Sequence, residues 1–207
     1  MSYTLLRLTK DGVVLGDYHL RRLGLAAGTR TFAAFVRFAR ESAPGVWAVT
    51  VEADEVVAEP RGESRLSEGQ ATRFAVSPVA SHSGPQPKPG PGGAYDEVRG
   101  PGVATLLTSA NGKQIFEACV AAVIGWDGDR IVCVPDSRPR VWSCADQAIR
   151  EHLDPREAPL RVDSHEPLLL VNAVKGTCAV EVAGRSPFPA EARATVDHLL
   201  TSLTHVP

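Results

Sequence analysis

Residues 31–40 place Phe32, Phe35, Val36 and Ala39 at i, i+3, i+4 and i+7, the spacing of an amphipathic helix. Before them, residues 3–8 and 13–15 read as two short strands around the turn Lys10, Asp11, Gly12, a hairpin signal. Residues 18–25 predict a short helix with Asp17 as its N-cap. Alternating bulk predicts strands over 46–51 and 74–79. From 82 to 93 the chain reads HSGPQPKPGPGG, where prolines and glycines leave no room for a regular element. Beyond it, strands are expected over 103–108, 114–123, 131–134, 168–171 and 178–182. Helices are expected over 143–153, opened by a Ser143/Asp146 capping box, and over 190–203.

This order divides the chain into an N-terminal α+β domain (1–80), a Pro/Gly-rich linker (81–93) and a C-terminal α+β domain (94–207). Strands and helices mix without strict alternation, which favours α+β over a doubly wound sheet.

At 207 residues the chain can bury one large core or two small ones. Its net charge of -2, without a basic cluster, gives no nucleic acid or anionic membrane a footprint. No apolar run reaches the roughly 18–20 residues of a membrane helix, and the start has no signal-peptide pattern. A cytoplasmic protein is expected. Cys119, Cys133, Cys144 and Cys178 form no CxxC pair and read as free thiols. The six histidines show no HxxxH or HExxH spacing, so no metal site is expected.

No nucleophile elbow, P-loop or GxGxxG motif is present. The most suggestive single residue is Lys88, in the irregular segment between the two domains. Inter-domain clefts are where small-molecule sites form, and a desolvated lysine there becomes a nucleophilic amine. A lysine in a proline-rich loop is ordinarily only solvated.

Several ordered blocks sharpen this. YHLRRL at 18–23, FAVSPV at 74–79, YDEVR at 95–99, IFEACVAAVIGWDGDRIVCVP at 115–135, and Asn172-Ala173-Val174-Lys175-Gly176 followed by Ala183-Gly184-Arg185 stand in one sequence order. Together they resemble the fold-type IV pyridoxal-phosphate enzymes: aminodeoxychorismate lyase and the branched-chain and D-amino-acid aminotransferases. The resemblance implies two small α/β domains of the D-amino-acid aminotransferase-like type, with the cofactor cleft between them. It implies pyridoxal phosphate as cofactor, an amino-acid-like substrate and a homodimer.

By resemblance, Lys88 is the catalytic lysine that bonds the cofactor. Glu117 holds the pyridine nitrogen, and Arg22, with Arg21 as competitor, forks onto the phosphate. Ser143 or Cys144 opens the phosphate-binding helix, and Asn172 closes the cofactor-binding set. The Asn172 block points toward a lyase that eliminates pyruvate to release an aromatic amine. A class IV aminotransferase, or a non-catalytic binding or assembly protein on the same fold, stays open.

Departures accompany the likeness. Ala122 stands where the family has an asparagine, Arg99-Gly100-Pro101-Gly102 replaces much of a helix, and prolines flank Lys88. The first strand begins almost at once, so a missing or rebuilt wall of the substrate pocket is expected.

Overall fold

A computed structural model describes residues 2–63, 66, 72–82, 84–86, 94–98 and 104–205. The elements, in chain order, are β1 (Ser2–Thr9), β2 (Gly12–Val14), α1 (Gly16–Leu23), α2 (Arg30–Glu41), β3 (Gly45–Glu52) and β4 (Glu55–Arg61). Then come β5 (Thr72–Val76), β6 (Pro85–Gln86), α3 (Ala94–Val98), β7 (Ala104–Thr108), β8 (Gln114–Ala118), β9 (Ala122–Trp126), β10 (Ile131–Cys133) and β11 (Arg140–Val141). The remainder is α4 (Cys144–Leu153), β12 (Arg156–Glu157), β13 (Leu160–Arg161), β14 (Leu168–Asn172), β15 (Gly176–Ala179), α5 (Ala190–Ser202) and β16 (Thr204–His205). The α+β class expected from the sequence is the one observed. No helix among the described residues is long and apolar enough to cross a membrane.

One sheet runs β16-β2-β1-β3-β4 and is antiparallel throughout. A second runs β12-β10-β9-β14-β15, with only β10 and β12 parallel. A third runs β13-β8-β7-β5, with β5 parallel to β7. Strands β6 and β11 form a separate parallel pair.

Three apolar clusters hold these layers. Leu6, Val13, Phe35 and Val49 join the first sheet to α1 and α2. Leu106, Ile115, Val132, Leu160 and Leu168 fill the space between the second and third sheets. Ile124, Ile149, Leu169 and Val196 seat α4 and α5 on the second sheet. Each fully buried Leu, Ile or Phe side chain contributes about 1.5–3 kcal/mol. Helix α1 serves two clusters at once: Leu20 and Leu23 enter the first-sheet core, while Tyr18 enters the core of α4 and α5. Its remaining inward face carries His19 and Arg22, three residues apart and so one above the other.

Some local expectations are corrected. Asp17 does not cap α1: the N-cap is Leu15, in the left-handed region at φ 52, with no side-chain cap. Asp17 sits inside the first turn, where its charge suits the positive helix end and meets His205 at 3.1 Å. The strand expected over 114–123 is two strands, because a tight turn at 119–120 folds Ala118 against Ala121. β4 was not foreseen. The strand expected over 74–79 ends at Val76, before Pro78, and that over 178–182 is Gly176–Ala179. Within the proline-glycine run, Pro85–Gln86 pairs with Arg140–Val141, an edge position that a proline tolerates. Lys88, with residues 87 and 89–93, lies outside the described residues.

Candidate active site

A cleft of ≈350 Å³ opens where α1, β1, α3, the β8–β9 turn, β11, the start of α4 and the β14–β15 turn meet. Arg22, Glu117, Ser143 and Asn172 all line it, so four of the five residues singled out from the sequence share one concavity.

Glu117 comes from β8, which is buried on both faces, and the carboxylate is 4% exposed. The phenol of Tyr95 donates to its Oε1 at 2.5 Å, and the backbone N–H of Val141 donates to its Oε2 at 2.9 Å. Burial pushes the carboxyl up to about 7, while the two hydrogen bonds and the positive charges of Arg140 and Arg22 pull it down. Burial and the neighbouring Glu117 push the Tyr95 phenol far above its ordinary range. A carboxyl raised by burial responds to a cationic or N–H group arriving in the cleft, which favours its ionised form.

Arg22 turns inward from α1. Its Nε and Nη2 are buried without a hydrogen-bond partner among the described residues, and Nη1 lies 4.0 Å from the Cys144 Sγ. Arg21, its competitor, faces outward: it forks onto Glu151 of α4 at 2.7 and 3.2 Å and lies over the Tyr18 ring. Two buried guanidinium nitrogens without an acceptor suit a bound oxyanion.

The N-terminus of α4 faces the same space. Ser143 caps it, its Oγ accepting from the Asp146 N–H at 3.4 Å, so the Ser half of the expected capping box is present. The Asp146 carboxylate does not reciprocate and pairs instead with Arg140 and Arg150. First-turn N–H groups and the helix dipole favour an anion here. His19, 1% exposed, lies between β1 and α4, its Nδ1 2.8 Å from Thr4 Oγ1 and 3.4 Å from Cys144 Sγ.

Asn172 closes the floor of the cleft. Its Oδ1 accepts from the N–H groups of Val174 and Lys175 at 2.9 and 3.0 Å, and its amide donates to the Val120 carbonyl. The side chain thereby ties the β14–β15 turn to the β8–β9 turn.

Tyr95 and His19, which stand in the ordered blocks but are given no role by the sequence, and the β1 residues Tyr3 and Leu5 also line the cleft. The helical spacing from His19 to Arg22 could have marked the histidine. Nothing local marks Tyr95, which meets Glu117 across a sequence separation of 22. Tyr3 and Leu5 put β1 on the lining of the cleft.

No protein-family model and no curated protein matches the sequence. Solved structures do match its fold. A provisionally assigned amino-acid aminotransferase from Mesorhizobium loti aligns with TM-score 0.72 at 13% identity, over 87% of this chain and 98% of that one. The 4-amino-4-deoxychorismate lyase of Pseudomonas aeruginosa aligns with TM-score 0.69 at 14% identity, over 97% and 90%. A hypothetical aminotransferase from Mycobacterium tuberculosis, in an alpha-ketoglutarate and PMP bound form, aligns with TM-score 0.62 at 17% identity, over 97% and 89%. The chain therefore has the fold of the fold-type IV aminotransferases and aminodeoxychorismate lyases.

Proposed function

We propose that this protein is a pyridoxal-phosphate-dependent enzyme acting on amino-acid-like substrates. Its reaction is that of a lyase resembling 4-amino-4-deoxychorismate lyase, eliminating pyruvate and releasing an aromatic amine. One observation carries the reading: Arg22, with two buried nitrogens lacking acceptors among the described residues, and Glu117, buried with a raised pKa, line a single cleft.

The residues fit the cofactor's two ends. Arg22, the Ser143 hydroxyl and the N-terminus of α4 hold a phosphate. Glu117 accepts from a protonated ring nitrogen; a cation beside it restores the ionised form that burial disfavours. Tyr95 and the Val141 N–H fix the carboxylate for that contact. The cofactor, when bound, draws electrons from the substrate Cα. Lys88 supplies the amine that holds the cofactor and carries the proton at Cα. Asn172 acts by fixing the turn that closes the floor. A homodimer and a cytoplasmic location belong to the same proposal.

The test is pyruvate release from 4-amino-4-deoxychorismate by purified protein supplied with pyridoxal phosphate and no keto acid. Release supports the lyase. Turnover only after a keto acid is added moves the reading to a class IV aminotransferase; aminotransferase is the name carried by two of the three matches described above. No turnover and no cofactor uptake contradict an enzyme and leave a binding or assembly protein.

A further inference from the structure

The proposed chemistry leaves the buried guanidinium of Arg140 unused. Arg140 on β11 is 2% exposed, the largest fully buried side chain among the described residues. Its Nη2 pairs with Asp146 at 2.9 Å and also with Asp136. Its Nε and Nη1 are buried with no hydrogen-bond partner among the described residues. A guanidinium in this state is a poor stabiliser, since a well-packed apolar side chain of similar volume avoids both the desolvation and the idle donors. Its position explains it better than folding does.

Arg140 is tied to groups on two sides of the cleft. Toward one end it grips Asp146, 3% exposed, in the first turn of α4, the helix whose start lines the anion end. Toward the other, the next residue on its strand, Val141, donates its N–H to Glu117 Oε2, and the guanidinium's charge favours the ionised carboxylate. Asp146 is held a second time by Arg150 at 2.8 Å, so the first turn of α4 is clamped from its own helix and from β11.

We propose that Arg140 is a positioning residue that locks the anion-binding start of α4 and the Glu117 carboxylate into one rigid frame. This rests on the reading of the cleft as a cofactor site, but its test needs neither cofactor nor turnover. The groups facing Glu117 are Tyr95 from α3, Arg140 and the Val141 N–H from β11, and Arg22 from α1. Those facing Arg140 include Asp136, Asp146 and, through Asp146, Arg150.

The experiment uses the full chain with Arg140→Met, Arg140→Lys and Glu117→Gln. Two quantities are read: affinity for inorganic phosphate by calorimetry, and the Glu117 carboxyl titration by carbon-13 NMR, assigned with Glu117→Gln. Arg140→Met is expected to weaken phosphate binding about tenfold and to raise the Glu117 midpoint by about one pH unit. Arg140→Lys keeps the charge without the planar fork, so it restores the midpoint but not the phosphate affinity.

If Arg140→Met leaves both quantities within about twofold and a few tenths of a unit of wild type, the proposal is overturned. Should that variant fail to fold, Arg140→Lys decides: a wild-type phosphate affinity overturns the frame. Wild-type protein that binds no phosphate overturns it at the anion end. A wild type that binds phosphate but takes up no pyridoxal phosphate overturns the cofactor reading alone.

Discussion

The phenol of Tyr95 and the carboxylate of Glu117 meet at 2.5 Å in a buried corner of the cleft, with the Val141 N–H on the opposite carboxylate oxygen. Removing the phenol takes away a donor that favours the ionised form. Tyr95→Phe is therefore expected to raise the Glu117 midpoint above about 7, by roughly one to two pH units for a hydrogen bond to a charged group. Carboxyl NMR across pH 5–10 checks it; an unmoved midpoint shows that the phenol does not stabilise the carboxylate.

Glu117 also gives the fold a pH dependence of known sign. Below its ordinary value of 4.5, folded and unfolded chains both hold the proton and the side chain adds no penalty. Between 4.5 and about 7 the unfolded chain loses the proton first, so stability falls as pH rises; above about 7 the penalty levels off. Its full size is on the order of 3 kcal/mol. Relative to wild type, Glu117→Gln is expected to gain stability by that amount between pH 4 and 8. Urea titrations of both proteins across this range measure it, and a stability difference that does not change with pH contradicts the buried, raised carboxyl.

The two neighbouring arginines of α1 separate cleanly by mutation. Arg22→Met is expected to weaken inorganic phosphate binding by about tenfold or more while costing the fold little, because two unpartnered buried nitrogens leave with it. Arg21→Met removes a half-exposed pair with Glu151 and is expected to cost about 0.2–1 kcal/mol and leave phosphate affinity unchanged. Equal phosphate affinities in the two variants remove Arg22 from the anion site.

Asn172 is a structural test of the cleft floor. Asn172→Ala leaves the Val174 and Lys175 N–H groups and the Val120 carbonyl without their side-chain partner. A loss of about 2–4 kcal/mol is expected in denaturant unfolding, with hydrogen exchange rising first in the β14–β15 turn. A loss below about 0.5 kcal/mol means that water replaces the side chain at no cost.

These residues also show where the sequence was readable. Period and capping found α2 and α4, because Phe32 and Phe35 and the Ser143 cap are local signals. The β8–β9 division stayed hidden because residues 115–124 are almost unbroken apolar and both strands are buried; a continuous run carries no register. β4 was missed for the opposite reason: it is an edge strand whose residues are mostly exposed and end in Pro60 and Arg61. Glu117 was found only through the family's ordered blocks, since a glutamate in an apolar strand has no pattern of its own. Tyr95 and Arg140 act through contacts made by the fold, and no spacing along the chain announces them.

Lys88, Arg22 and Glu117 are proposed to serve one cofactor. Borohydride reduction of the protein with pyridoxal phosphate, followed by peptide mass mapping, tests it most directly. A single reduced adduct on Lys88 is expected, lost in Lys88→Ala and weakened by Arg22→Met. No adduct, or one on Lys113 or Lys175 that survives Lys88→Ala, contradicts it.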